Sequence, residues 1–232
     1  MRLAAAAVGR LEDQIAAAAR GGAQLLVLPE ALDAAPAEPS DGPWATRLAA
    51  LARTHHIALC AGYHEVCVTG RYGAALLVDR FGRCLANYRQ THVRPGRGMP
   101  RARGHWLTTM PLETRRVGLL IGYDIEFAEP AAALALAGCD TLLVVAGVTD
   151  SSAAALLPAR ARDTGCWLAC SGATPAIVAP DGRLIEPSAA TPGLVFADLA
   201  PGGAAAAERR LDRRPQLYQW LVAGGDEPGR PA

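Results

Sequence analysis

The stretch VGLLIGYDIEFAEPAAALALAGCDTLLV, residues 117–144, decides the class of fold. Its apolar run at 117–123 predicts a buried strand, and the alanine- and leucine-rich segment at 126–137 predicts a helix. A second apolar run at 141–146 predicts another strand. Fully apolar strands that alternate with helices are typical of sheets covered by helices, so the stretch indicates an α/β protein.

The same alternation extends through the rest of the chain. Helices are predicted from residue 11, from Pro43 and over 151–164. Strands are predicted at 2–8, 24–28, 57–63, 74–78, 83–91, 141–146, 166–171 and, as a hairpin, 176–185. Each half of the chain therefore runs through strands and helices and ends in a hairpin. Two similar halves predict two β-sheets stacked face to face with helices outside. We expect one domain over 1–222, with a tail segment at 201–222, and disorder over 223–232.

Composition excludes several classes of function. The 232 residues carry a net charge of +1, which gives no reason to expect a nucleic-acid partner. No apolar run approaches the roughly 20 residues needed to span a bilayer, so no membrane segment is predicted. All 23 basic residues are arginine, which excludes mechanisms that need a lysine amine of this chain. The 6 cysteines lack CxxC spacing, and we expect free thiols in the cytoplasm, with no metal and no cofactor.

Three strand ends carry the chemistry that the sequence suggests: LLVLPE at 25–30, NYRQTH at 87–92 and VGLLIGYDIEF at 117–127. With LALAGCDTLLV, ARARDTGCWLAC and DRRPQLY further along, these motifs make the chain resemble the carbon–nitrogen hydrolase (nitrilase/amidase) superfamily. The resemblance covers nearly the whole chain. It implies a four-layer αββα sandwich of two stacked mixed β-sheets, paired as a homodimer through the helices at 126–137 and 151–164.

The resemblance also implies a chemistry that this chain departs from. In the family a cysteine thiolate attacks an amide or nitrile carbon, a glutamate moves protons, and a lysine helps to stabilise the oxyanion. Glu30 matches the glutamate, whereas Gln90 stands at the lysine position and Gly122 at the cysteine position. Residues 93–112, where the family often has a further acid, contain no Asp or Glu. Loss of a nucleophile typically costs many orders of magnitude in rate.

Glu30 then needs a new environment, because a buried carboxylate without its cationic partner is costly. We expect it to be protonated, paired with an arginine or histidine, or reached by water. His92 is the nearest candidate partner by pattern, since Tyr88, Gln90 and His92 share one face of a strand. Two hypotheses stay open for His92: a new acid–base pair with Glu30, or a family remnant bonded to the backbone.

Further candidates lie in the turn around Gly122, which we call the elbow. Tyr123, Asp124 and Glu126 follow Gly122, and Asp124 either orients neighbouring backbone or binds a ligand. The segment between the motifs carries four arginines, at Arg94, Arg97, Arg101 and Arg103. They either bind an anion through forked hydrogen bonds or form a solvated charged surface.

Three functional hypotheses follow. The first is a degenerate family member without amidase or nitrilase activity, retained as a binding, scaffolding or regulatory protein with a possible small-molecule ligand. The second is a retooled enzyme in which Glu30 performs acid–base chemistry on a small C–N-containing substrate without a covalent intermediate. The third is a conventional hydrolase that uses another thiol.

Overall fold

The computed structural model of the chain describes residues 1–30, 36–95, 101–147, 155–200 and 212–218. Within these residues six strands form the first sheet, in the order β11-β1-β2-β3-β4-β5. They are β1 (Arg2–Ala6), β2 (Leu25–Val27), β3 (Ala58–Cys67), β4 (Gly70–Val78), β5 (Cys84–Arg89) and β11 (Leu194–Asp198). β1, β2 and β3 are mutually parallel, and the remaining neighbours pair antiparallel. The sheet is therefore mixed.

The second sheet has five strands in the described part of the chain, in the order β10-β9-β8-β7-β6. They are β6 (Thr109–Leu112), β7 (Arg115–Ile121), β8 (Thr141–Val145), β9 (Trp167–Cys170) and β10 (Ala176–Val178). The central three, β7, β8 and β9, are parallel, and the edge strands pair antiparallel.

Four helices cover the outer faces in the described ranges: α1 (Leu11–Arg20), α2 (Pro43–His55), α3 (Ala128–Leu136) and α4 (Leu157–Thr164). The buried apolar side chains form three clusters. One lies between the two sheets, one joins the first sheet to α1 and α2, and one joins the second sheet to α3 and α4. Three cores in sequence require four layers, so the predicted αββα sandwich is confirmed.

Some local features differ from the predictions. β6 and β11 were not predicted: β6 is a four-residue edge strand that contains Pro111, and β11 follows Gly193 and pairs with the distant β1. The strand predicted at 117–123 ends at Ile121, and the helix predicted from 126 begins at Ala128. Both limits move because Gly122–Glu126 forms a 3₁₀ helix between them.

Three predicted segments fall wholly or partly outside the described residues. Of the helix predicted at 151–164, the described portion forms α4. Of the tail at 201–222, the described portion contains a short 3₁₀ helix at Pro215–Leu217. The segment 223–232 lies entirely outside the description, so the limits of the domain stay predictions. None of the helices in the described ranges has the length and apolar character required to cross a membrane.

The carboxyl ends of strands from both sheets meet at one edge of the sandwich. The Glu30 amide, after β2, donates to the Ala146 carbonyl after β8 at 3.1 Å. The Ser171 hydroxyl, after β9, donates to the Leu28 carbonyl at 2.9 Å. Because these bonds hold the two sheets together at their ends, side chains that follow β2, β5 and β7 converge there.

Candidate functional site

The elbow after β7 contains no nucleophile. Gly122 is buried, begins the 3₁₀ helix, and has a φ of +39°. This left-handed conformation costs an L-residue roughly 1–2 kcal/mol and costs glycine little. Glycine therefore holds this left-handed turn at little cost, and it brings no side chain to the position that the family gives to cysteine.

Glu30 is paired with an arginine. Arg101 Nη1 donates to Glu30 Oε1 at 2.8 Å, and the two side chains are 21% and 15% exposed. Of the three environments expected for Glu30, pairing with an arginine is the one found, whereas His92, the candidate partner by pattern, contacts Asp124 instead. Arg101 reaches the site because the segment that follows it runs along the first sheet, where Ala102 N donates to Arg71 O and Gly104 N donates to Gln90 O, each at 2.7 Å.

Two glycines make room for this pair. A Cβ at Gly62 would lie 2.7 Å from Glu30 Cα, and a Cβ at Gly73 would lie 3.1 Å from both Arg101 Nη1 and Gln90 Oε1. Gly147 lies beside them, and its Cβ would make an ordinary contact with Glu30 Oε2 at 3.6 Å. The backbone around Glu30 is thus shaped to admit its side chain and the guanidinium.

Gln90 bridges the first sheet to the elbow. Its Nε2 donates to the Ile121 carbonyl at 3.0 Å, and its backbone amide donates to Gly73 O at 2.9 Å. The residue is 6% exposed. Gln90 therefore supports the elbow with a neutral hydrogen bond and brings no charge to the position that the family gives to lysine.

Asp124 is the structural centre of the elbow. The side chain is fully buried and accepts hydrogen bonds from Ile121 N at 2.9 Å, Tyr88 Oη at 2.8 Å, Thr91 Oγ1 at 3.1 Å and His92 N at 2.8 Å. Burial, and then the negative charge of Asp124, raise the pKa of Tyr88, which stays a neutral donor. Of the two roles considered for Asp124, orientation of backbone is the one these contacts support.

His92 belongs to a second layer outside the elbow. Its Nδ1 lies 3.2 Å from Asp124 Oδ1, and its ring stacks on Phe127 with 4.3 Å between centroids. Tyr123 meets the same Phe127 ring edge-on, and Arg94 lies over the Tyr123 ring at 4.5 Å. An aromatic cluster therefore covers the carboxylate network. This arrangement favours the family-remnant hypothesis for His92 over an acid–base pair with Glu30.

The arginines of the segment between β5 and β6 make different contacts. Arg94 forms an ion pair with Glu126, Arg101 pairs with Glu30, and Arg103 is exposed. Arg97 lies outside the described residues. Because Arg94 and Arg101 pair with carboxylates of the protein and Arg97 is not described, both hypotheses for the four arginines as a group stay predictions.

The thiols lie elsewhere. All six cysteines are free, and Cys60 lies between the sheets, where burial raises the pKa of its thiol to about 12. Cys139, Cys166 and Cys170 lie in the core between the second sheet and its helices. Cys67 and Cys84 lie on β3 and β5 of the first sheet. In the described ranges no group of three or more His, Cys, Asp or Glu is arranged to hold a metal ion.

Sequence reasoning missed three features of the site: Arg101 as the partner of Glu30, Tyr88 and Thr91 as donors to Asp124, and the glycines around Glu30. One signal for Arg101 was available. Residues 93–112 hold four arginines and no acid, so any buried acid nearby was a candidate partner. Tyr88 was placed on the face of Gln90, and its hydroxyl therefore had to find an acceptor in the core.

These observations define a nitrilase-like αββα protein with its candidate site at the joined carboxyl ends of the strands. A model of the carbon–nitrogen hydrolase family matches residues 3–209, and the chain belongs to that family.

Similar proteins include hydrolases and amidases. The chain is 36% identical over 230 residues to "Hydrolase in pqqF 5'region" of Pseudomonas protegens, which covers 86% of this chain and 81% of that protein. It is 27% identical over 214 residues to the deaminated glutathione amidase of Escherichia coli, covering 81% and 82%. A crystal structure of an amidase from Nesterenkonia sp. matches with a TM-score of 0.79 and 26% identity over 95% of this chain and 96% of that one. A variant of that amidase in complex with butyramide matches with a TM-score of 0.78 and 26% identity over 94% and 96%.

Proposed function

We propose that this carbon–nitrogen hydrolase family member does not hydrolyse amides or nitriles through a thioester and acts as a binding, scaffolding or regulatory protein. Gly122 carries the proposal: the elbow that presents the nucleophile in the family presents a hydrogen atom here. A thioester needs a thiol at this place, and glycine supplies none.

The Glu30–Arg101 ion pair supports the same conclusion. A general base must accept a proton from the reacting group, yet one carboxylate oxygen of Glu30 already accepts a hydrogen bond from a guanidinium. Gln90 points its amide nitrogen at the Ile121 carbonyl, so this donor is used inside the protein. The site is held together by its own side chains, as expected of a binding or structural role.

The locations of the thiols weigh against a relocated nucleophile. Cys60, Cys139 and Cys166 are fully buried in apolar cores, where desolvation disfavours the thiolate that attacks. Cys67 lies near Arg89 at the far end of β3, where its Sγ accepts from Nη2 at 3.4 Å. These four thiols are therefore not placed to serve as the nucleophile beside Glu30.

A second candidate function is favoured by one observation. Glu30 is retained at the position of the family's glutamate, and a Cβ built on Gly147 would lie 3.6 Å from its Oε2. The Glu30 carboxyl group would act as the acid or base in chemistry on a small C–N-containing substrate without a covalent intermediate.

The test uses ammonia release from butyramide, the small amide that a variant of the Nesterenkonia amidase binds. We expect no release above background from purified protein, with and without prior iodoacetamide treatment. Release that disappears in Glu30→Gln and survives alkylation would establish the second candidate. Release that alkylation abolishes would establish another thiol as nucleophile. Calorimetric titration of butyramide into wild type and Glu30→Gln then separates a ligand-binding role from a scaffolding one.

The assembly and location are part of this proposal. We propose a homodimer through α3 and α4, which contact each other on the outside of the second sheet. Leu136, the last residue of α3, is 47% exposed and supplies an apolar surface there. We also propose a cytoplasmic location, supported by six free cysteines.

A further inference from the structure

A cavity of about 250 Å³ lies on the face of β5 opposite to the site around Glu30. Side chains alternate along a strand, so Tyr88 and Gln90 face the second sheet while Asn87 and Arg89 face away from it. Asn87 and Arg89 line this cavity together with Tyr72 from β4 and Trp106 and Thr108 from the segment before β6. The cavity therefore shares a strand with the Glu30 site but has its own walls.

A preorganised guanidinium forms one wall. Arg89 Nε donates to Glu65 Oε2 at 2.9 Å and its Nη2 donates to Glu65 Oε1 at 2.6 Å. Asn87 Nδ2 donates to the same carboxylate at 3.0 Å, and the Arg89 guanidinium lies over the Tyr72 ring at 4.4 Å. Glu65 is 1% exposed, so a buried carboxylate holds the Arg89 guanidinium in place. The hydrogen bonds that Arg89 donates to Glu65 raise the pKa of Arg89, which keeps its charge at any ordinary pH.

The guanidinium retains donor capacity toward the cavity. Its Nε and Nη2 are engaged by Glu65 and Cys67, while its Nη1 makes no hydrogen bond to a protein acceptor within the described ranges. Nη1 carries two N–H donors, and the bidentate pair with Glu65 fixes their direction. Thr108, whose side chain carries a hydroxyl, also lines the cavity.

An aromatic rim completes the cavity. Trp106 is 82% exposed, although an indole is usually buried over most of its surface. The Tyr72 ring, 6% exposed, is fixed by its hydroxyl, which donates to Thr69 Oγ1 at 3.0 Å. Two aromatic rings and a fixed cation thus border a space of the size of a single-ring compound.

We infer that this cavity is a binding site for a small aromatic carboxylate, held by Arg89 Nη1 and Thr108 and covered by Trp106. The carboxylate accepts hydrogen bonds from Nη1 of the guanidinium, and the ring packs against Trp106 at the rim. This site goes beyond the proposed function and does not depend on it, since none of its walls belongs to the Glu30 site.

The experiment is calorimetric titration of the full chain with phenylacetate, with phenylacetamide as the neutral isostere. We expect saturable 1:1 binding of phenylacetate and about tenfold weaker binding of phenylacetamide, because the charge-assisted hydrogen bond is lost. Trp106→Ala is expected to weaken phenylacetate binding about fivefold. Because Trp106 is exposed, this variant leaves the core intact, and a thermal melt confirms its folding. Phe81→Ala, which removes another exposed ring, is the matched control and should bind as wild type does.

Two outcomes would overturn the inference. Equal binding of phenylacetate and phenylacetamide, or no binding of either, removes carboxylate recognition at Arg89. Binding that is lost in Arg101→Leu but kept in Trp106→Ala assigns the probe to the Glu30 site. If butyramide is turned over, phenylacetamide is an amide that the Glu30 site also takes, and the effect of Trp106→Ala on phenylacetate binding then decides the inference on its own.

Discussion

Glu30 and Arg101, 71 residues apart in the chain, form an ion pair at 2.8 Å at the joined carboxyl ends of two β-sheets. The family supplies a lysine near this glutamate; here the cation is an arginine that arrives from a different segment. The chain therefore keeps charge balance at the site while losing both the amine and the thiol of the family chemistry. The ion pair can stabilise the fold, but thioester catalysis would need the thiol that is missing.

The first prediction concerns this pair. Arg101→Leu leaves the mostly buried carboxylate of Glu30 without its guanidinium, so we expect a loss of roughly 1–3 kcal/mol in the free energy of unfolding. Arg103→Leu removes an exposed arginine of the same segment and should cost less than about 0.5 kcal/mol. Urea unfolding at pH 7 measures both. Equal stabilities of the two variants would show that the ion pair is not a stabilising contact.

The second prediction concerns the elbow. Gly122→Cys places a side chain at a φ of +39°, so the variant should lose roughly 1–2 kcal/mol of stability. Its new thiol should also react with iodoacetamide at a site absent from wild type, read by mass spectrometry of the peptide. Gly122→Ala carries the same backbone strain without the thiol and serves as the control.

A double variant built on Gly122→Cys tests whether amide hydrolysis can be restored at the site. We expect Gly122→Cys combined with Gln90→Lys to release ammonia from butyramide slowly, at a rate above that of wild type. A rate equal to wild type would contradict the expectation that the thiol and the amine alone restore turnover. The triple variant with Arg101→Ala then separates a blocked glutamate from an elbow that is wrongly shaped.

The sequence predicted the layers of the fold well because the layers depend on hydrophobic patterning. Apolar runs such as 141–146 have no polar face, which requires cover on both sides. The pairing of β11 with β1 was beyond such reasoning, since a short run near residue 194 carries no information about a partner near residue 2. The predicted end of the strand at the elbow was wrong for a local reason. The apolar run continues into the 3₁₀ helix, so hydrophobicity alone does not mark where the strand ends.

The residues of the site that follow strand ends could be predicted from the sequence. The residue that pairs with Glu30 could not, because it comes from a segment between strands and reaches the site with a long side chain. Glu30, Gln90 and Gly122 converge because they follow strand ends. The partner of Glu30 depends on the path of a segment between strands, and the length of an arginine side chain lets several residues of that segment compete. His92 was chosen by strand alternation, but β5 ends at Arg89, so alternation no longer applies at residue 92.

The third prediction concerns Asp124. Either orientation of an amide at this position turns Nδ2 toward a backbone N–H, that of Ile121 or that of His92. Asp124→Asn should therefore cost about 3 kcal/mol and lower the melting temperature by about 6–12 °C. Asp13→Asn, at a side chain 72% exposed in α1, should change it by less than about 2 °C. A shift in Asp124→Asn no larger than in the control would remove Asp124 from the elbow's support.

The fourth prediction concerns the proposed dimer. Leu136→Arg puts a charge on the exposed end of α3, so we expect the mass in solution, measured by light scattering, to fall from dimer to monomer. Leu184→Arg changes a leucine of similar exposure, 48%, far along the chain in the second hairpin. Wild-type protein that is monomeric at micromolar concentration, or equal dissociation in both variants, would contradict the proposed interface.

The fifth prediction concerns pH and the buried carboxylate that anchors Arg89. Burial alone would raise the pKa of Glu65, but hydrogen bonds from Arg89 and Asn87 outweigh it and hold the pKa below its usual 4.5. A carboxylate whose pKa is lowered on folding stabilises the protein above the unfolded value, and this contribution is lost as pH falls through the folded value. Wild type should therefore lose stability below pH 4.5 more steeply than Glu65→Gln, which should already be about 2 kcal/mol less stable at pH 7. Glu129→Gln, at an exposed position of α3, is the control and should follow wild type across the range. Parallel curves for Glu65→Gln and wild type in urea titrations from pH 7 to pH 3 would show that Glu65 does not titrate differently in the folded protein.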